Sequence, residues 1–106
     1  MVTIWGDGSS VRDYLDVDDM VAACRLALVG PNGIYNIGAG VGTSLNELIK
    51  QVQQITGRML LVERQSTRAS DAGRIVLDTA RAKEVLGWGP SVGLREGLLR
   101  IWSGLQ

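Results

Sequence analysis

The stretch from Ile34 to Ile55 limits the folds open to this chain more than any other. Ile34-Tyr35-Asn36-Ile37 alternates apolar bulk as a short strand does, and Gly38-Ala39-Gly40-Val41-Gly42 follows as a glycine-rich loop. Ser44-Leu45-Asn46-Glu47 then has capping-box spacing, in which the serine hydroxyl takes the backbone N–H three residues on and the glutamate reaches back. Leu45, Leu48, Ile49, Val52 and Ile55 share one helical face. A strand passing through a loop straight into a capped helix belongs to α/β architecture.

The rest of the chain repeats the alternation. Val2 to Trp5 reads as a strand stopped by Gly6-Asp7-Gly8-Ser9-Ser10, and Val11 to Val17 reads as extended again. Asp18 and Asp19 are placed to cap a helix whose apolar face runs through Met20, Val21, Ala23, Cys24, Ala27 and Leu28, ended by Gly30-Pro31-Asn32-Gly33. Gly57 closes the second helix, Met59 to Glu63 reads as a strand, and Arg64 to Gly73 as a polar loop. Arg74 to Leu77 reads as a last strand, and Asp78 caps a helix that Gly87 ends. From Leu94 a final helix sets Leu94, Leu98, Ile101, Trp102 and Leu105 on one side. The expectation is one small α/β unit of short strands and about four helices spanning residues 1–106.

Length and charge narrow the possible partners. With 106 residues the chain has room for one modest core. Eleven basic side chains balance eleven acidic ones, so net charge steers the molecule toward neither nucleic acid nor anionic lipid, and any anion site must be local. Cys24 is the one cysteine and the chain has no histidine, which removes an internal disulfide and leaves metal or nucleophilic chemistry without a partner; a buried core residue is the reading that fits. No apolar run approaches the roughly 20 residues that span a bilayer, and the N-terminus lacks a signal-peptide pattern, so the expected location is cytoplasmic.

Several residues invite a chemical reading. The glycine-rich loop followed by a helix start aims backbone donors and a positive helix end at one spot, as phosphate sites do. A dinucleotide fingerprint, however, wants a third glycine where Thr43 stands, and Glu63 only imitates the ribose-binding acid, so a tight structural turn is the better reading. Arg12, in a strand, and Arg68, in the polar loop, offer paired donors suited to a diphosphate, although spacing alone favours ordinary surface arginines. Tyr14 fits either ligand contact or packing. Asp16, Asp18 and Asp19 form an acidic cluster that suits a metal or an acid–base pair, with helix capping the favoured reading. Trp5, Trp88 and Trp102 are too scattered for a stacking platform and read as core and interface residues.

Taken in order, Ile4-Trp5-Gly6-Asp7-Gly8, Arg12-Asp13-Tyr14-Leu15-Asp16-Val17-Asp18-Asp19, Tyr35-Asn36-Ile37-Gly38-Ala39-Gly40, Thr43 to Leu48, Arg68-Ala69-Ser70-Asp71, Asp78, Leu86-Gly87-Trp88 and Glu96-Gly97-Leu98 resemble successive motifs of the extended short-chain dehydrogenase/reductases. The likeness is strongest to the C-terminal part of the UDP-glucose 4-epimerases. It implies that Arg12 and Arg68 contact the diphosphate of a nucleotide sugar, with Asp71 orienting Arg68 or reaching the ribose. Asp16 stands where relatives often carry histidine or tyrosine, and Ala72-Gly73 replaces their usual valine and proline.

The family's glycine fingerprint for NAD and its catalytic Y-x-x-x-K pair have no counterpart here: Tyr14 is followed by Asp18 and Tyr35 by Ala39. NAD serves the full-length family, and this chain alone is expected to bind no cofactor or metal and to carry no catalytic residue. The implied partners are a nucleotide sugar and either another copy of the chain or a separate N-terminal NAD-binding domain. A self-associating module with no ligand is the alternative expectation.

Overall fold

The computed structural model describes residues 1–66 and 73–106. Strand β1, Val2–Trp5, and β4, Val62–Gln65, pair in parallel with Val2 against Val62 and Trp5 against Gln65. Strand β2, Val11–Arg12, pairs antiparallel with β3, Thr43–Ser44. Helices α1, Val17–Val29, α2, Leu45–Thr56, and α3, Leu94–Leu105, are joined by a single π-helical turn at Ala82–Leu86. Short strands mixed with four helical segments are the α/β unit the sequence implies. No helix of the described residues is long and apolar enough to cross a membrane.

The helix ends follow their side-chain chemistry. Ser44 Oγ accepts the Glu47 N–H at 3.1 Å, satisfying a donor that the first turn leaves orphaned. Gly57 and Gly87 close α2 and the π turn in the left-handed conformation, at φ 69° and 68°. At α1 the cap is Asp16, whose Oδ1 accepts the Asp18 N–H at 2.9 Å, and not Asp18 or Asp19. Those two sit in the first turn, where negative charge meets the positive end of the helix dipole.

Three expected strands take other forms. Side chains at 34–37 do alternate, with Tyr35 and Ile37 inward and Ile34 and Asn36 outward, yet the segment forms no strand. Tyr35 is held from its ends: its hydroxyl donates to the Pro31 carbonyl and Arg81 stacks 5.3 Å from its ring centre. The strand expected at Met59–Glu63 begins only at Val62, because Gln53 Oε1 takes the Leu60 N–H and ties the residues after Gly57 to α2. Arg74–Leu77 forms a single bridge, Val11 to Arg74. Beyond it the Leu77 N–H goes to the Asp13 carboxylate at 3.2 Å instead of to a neighbouring backbone.

The core is small. Ile4, Ala23, Ala82 and Trp88 are its buried apolar residues among those described, with Leu15, Tyr35, Ile37 and Leu86 packed against the Ala23–Ala82–Trp88 group. Cys24, one residue round the helix from Ala23, is exposed and not a core residue: the α1 stripe facing the core is narrow and takes Asp19 and Ala23. Trp88 alone of the tryptophans is a buried core residue; Trp5 is exposed and Trp102 half-buried under Arg58.

A buried carboxylate fastens this core. Asp19 accepts the Ser91 N–H and hydroxyl and the Val92 N–H at 2.8–3.1 Å, while Trp88 Nε1 donates to the Asp19 backbone carbonyl at 2.9 Å. Burial pulls the Asp19 pKa up, but the Val92 and Ser91 donors outweigh it and hold the carboxyl below its ordinary value. A lowered carboxylate pKa contributes stability that is complete above the unfolded value, about 3.9, and that is lost as pH falls through the folded value. Asp19→Asn is therefore expected to lower unfolding free energy at neutral pH by roughly 1–3 kcal/mol in urea titrations. The gap from the parent chain should narrow as the pH drops below about 4.

Candidate functional site

β1, the Gly6–Ser10 turn and β2 fold back to form one corner of the molecule. The turn is clipped from two sides, with Arg64 Nη1 and Asn46 Nδ2 both donating to the Asp7 carbonyl, at 2.6 and 3.0 Å. Gly8, at φ 82°, leaves no room for a Cβ beside the Asn46 side chain. Below the turn lies a hollow of roughly 180 Å³ lined by Thr3, Ile4, Trp5, Ser10, Arg12, Tyr14 and Leu45. Arg12 is half-buried there and donates through Nη1 to the Val11 carbonyl at 2.9 Å, one use of a guanidinium that carries five N–H donors.

Arg68 and Asp71, the other two expected site residues, lie outside the described residues. The chain on either side of them is fixed at this same corner: the Gln65 carbonyl accepts the Gly6 N–H at 2.7 Å, and the Gly73 carbonyl accepts the Val11 N–H at 2.9 Å. Of the two flanking residues, Gln65 therefore lies at the end of β1 and Gly73 beside Val11 of β2.

The glycine-rich loop has a different occupation. Asp13 accepts the Ala39 N–H at 2.7 Å and the Gly40 N–H at 2.9 Å, the donors a phosphate would need. A Cβ on Gly38 would stand 2.7 Å from Asp13 Oδ2, so the absence of a side chain lets the carboxylate reach the loop. A phosphate brought here would meet a negative charge in the place of its donors. These residues do not fit a dinucleotide's pyrophosphate, and the tight structural turn is the arrangement found.

The acidic cluster separates into three structural tasks. Asp16 caps α1, Asp18 pairs with Arg100 at 3.3 Å on the surface, and Asp19 is the buried clamp. Arg100 also meets Glu96 at 2.9 Å. Tyr14 borders the Arg12 hollow on one side and, on the other, a cleft of about 540 Å³ walled by Leu15, Leu48, Leu94, Leu98 and Ile101.

Both the sequence and the fold have relatives among known proteins. The family described as GDP-mannose 4,6 dehydratase matches residues 1–101. UDP-glucose 4-epimerase of Mycolicibacterium smegmatis is 44% identical over 92% of this chain and 32% of its own length. The crystal structure of Thermotoga maritima UDP-glucose 4-epimerase with UDP-glucose superposes with a TM-score of 0.89 at 42% identity, covering 99% of this chain and 36% of that one. Thermus thermophilus UDP-glucose 4-epimerase in complex with NAD gives 0.86 at 36% identity, over 92% and 33%. This chain spans about a third of the length of the curated relatives it matches.

Sequence reasoning missed Asp13 as the residue that organises the corner. The signal available was a carboxylate inside an extended run, between Arg12 and the apolar Tyr14-Leu15; its acceptors' partners, 26 to 64 residues away, were not readable. Asp13→Ala leaves three backbone donors without their acceptor and is expected to cost at least about 2 kcal/mol in chemical unfolding. Amide hydrogen exchange should show faster exchange at Ala39, Gly40 and Leu77, with α2 little changed.

Proposed function

We propose, on the premise that this chain belongs to the GDP-mannose 4,6 dehydratase family, that it is the part of an NAD-dependent nucleotide-sugar epimerase or dehydratase that binds the nucleotide sugar, with a UDP-sugar the ligand. The observation that carries this reading is the corner itself: a half-buried Arg12 lining a hollow, with Gln65 and Gly73, the described residues nearest the stretch that bears Arg68 and Asp71, hydrogen-bonded to Gly6 and Val11 of the same corner. Two guanidinium groups arriving from a strand and a neighbouring loop suit a diphosphate, since each supplies charge-assisted hydrogen bonds in place of the water it loses. Asp71 is assigned to orienting Arg68 or to the ribose. Relatives crystallised with UDP-glucose and with NAD support a nucleotide sugar as the ligand and NAD as the cofactor of the full-length family.

The assignment is to binding and positioning, not to bond-making. Hydride removal and return need a base and a cofactor held against the sugar, and this reading gives neither to the 106 residues. The chain by itself is then catalytically silent toward UDP-glucose and binds NAD weakly or not at all. An exposed surface of 7243 Å², against roughly 5,800 Å² for a folded monomer of 11.4 kDa, supports a covering partner, either a second copy or an NAD-binding domain.

Calorimetric titration with UDP tests the assignment. Losing a charge-assisted hydrogen bond costs about 1.5–3 kcal/mol, so Arg12→Ala and Arg68→Ala should each weaken UDP binding by about ten- to a hundredfold. Arg95→Ala, exposed on α3, serves as the control and should bind as the parent chain does. UDP binding of equal strength in all three variants contradicts the reading.

A further inference from the structure

Strands β1 and β2 are the two limbs of the corner that holds Arg12, and they belong to different sheets: β1 pairs with β4, and β2 with β3. No ladder between the limbs therefore sets the width of the hollow, which has Thr3, Ile4 and Trp5 on one limb and Ser10, Arg12 and Tyr14 on the other. The Gly6–Ser10 turn that joins them is loose by composition, with Gly6 and Gly8 both at positive φ, 88° and 82°. A ligand gripped from both limbs needs that turn held still, because any freedom left before binding must be given up on binding.

Two side chains hold it. Asn46 lies in the first turn of α2, directly after β3, and Arg64 lies in β4, so each ties the turn to a different sheet. Both donate to the Asp7 carbonyl, Arg64 Nη1 at 2.6 Å and Asn46 Nδ2 at 3.0 Å, and Arg64 Nη2 makes a longer contact to Asn46 Oδ1 at 3.4 Å. One carbonyl of the turn thus links the β1–β4 sheet to the β2–β3 sheet. The first backbone donors of α2 go the same way. Leu45 N–H donates to the Ser10 carbonyl at 3.0 Å and Asn46 N–H to the Gly8 carbonyl at 2.9 Å, which satisfies groups that a helix start leaves orphaned. Gly8 is buried, and the Asn46 carboxamide occupies the place a Cβ would take there. Neither Asn46 nor Arg64 lines the hollow, so their influence on a ligand runs through the turn.

We propose that Asn46 and Arg64 are positioning residues of the nucleotide-sugar corner: by locking the Asp7 carbonyl they fix the separation of β1 and β2, and so place the Arg12 guanidinium for the diphosphate. The proposal rests on the nucleotide-sugar reading and adds to it a pair of residues that act without touching the ligand.

UDP titration of the 106-residue chain, followed by amide chemical shifts, tests it, with urea unfolding to verify that each variant is folded. Asn46→Ala changes no charge and Arg64→Ala removes one, yet both should weaken UDP binding by about three- to tenfold, the size of an ordering cost moved into the binding step. Arg64→Lys keeps a donor within reach of the carbonyl and should recover most of the loss. Arg95→Ala, the same loss of charge on α3, should bind as the parent chain does. In an Arg12→Ala background, Asn46→Ala should weaken binding by less than about twofold more, since the guanidinium it places is gone. Without ligand, the Gly6 and Leu45 amides should exchange faster in both alanine variants, while Ala39, Gly40 and Leu77, held by Asp13, keep the parent rate. Additive losses from Asn46→Ala and Arg12→Ala, UDP binding indifferent to Asn46→Ala or Arg64→Ala, no recovery in Arg64→Lys, or unchanged exchange at Gly6 and Leu45 would each overturn this proposal and leave the role of Arg12 standing. A parent chain that binds no UDP, or binds it equally well without Arg12, instead overturns the nucleotide-sugar reading, and the positioning role falls with it.

Discussion

Two carboxylates that accept backbone N–H groups hold this structure together. Asp13 gathers Ala39, Gly40 and Leu77, and Asp19 gathers Ser91 and Val92. Each joins segments 26 to 73 residues apart in sequence. They are needed because the chain has so little else: strands of two and four residues, and a core of a few side chains. Buried or half-buried N–H groups in irregular segments must find acceptors. A carboxylate, with two oxygens and a full charge, serves several of them at once.

The same arrangement decides where an anion can go. Loop donors already facing Asp13 are closed to a phosphate, by occupation and by charge. The guanidinium of Arg12, the last residue of β2 and the one before Asp13, brings the opposite electrostatic sign to a separate hollow. Adjacent residues on an extended chain face opposite ways. Here that alternation places a structural carboxylate on one side of the backbone and the anion-binding candidate on the other.

Much of this was legible in the residues, and the failures have physical reasons. Helix ends were readable because capping is local: Ser44 and Glu47 are three residues apart, and Gly57 and Gly87 need only their own backbone conformation. The family likeness was readable because ordered short motifs survive without a structure. Strands were misplaced at Ile34–Ile37, where the side chains alternate yet no strand forms, and at Arg74–Leu77, where Asp13 takes the Leu77 N–H. The α1 cap was placed two residues late because three aspartates compete for one position and only tertiary contacts assign Asp19 to Ser91. Arg12 was singled out on its chemistry; Asp13 beside it was read only as part of a motif.

The account rests on the claim that the ligand's diphosphate goes to the Arg12 corner and not to the glycine-rich loop. Amide chemical shifts followed by nuclear magnetic resonance during a UDP titration test it residue by residue. The largest changes are expected at Val11 to Tyr14 and at Gly73 and Arg74, with Gly38 to Gly42 nearly still. Changes centred on Gly38 to Gly42, with the Arg12 strand unmoved, would contradict it.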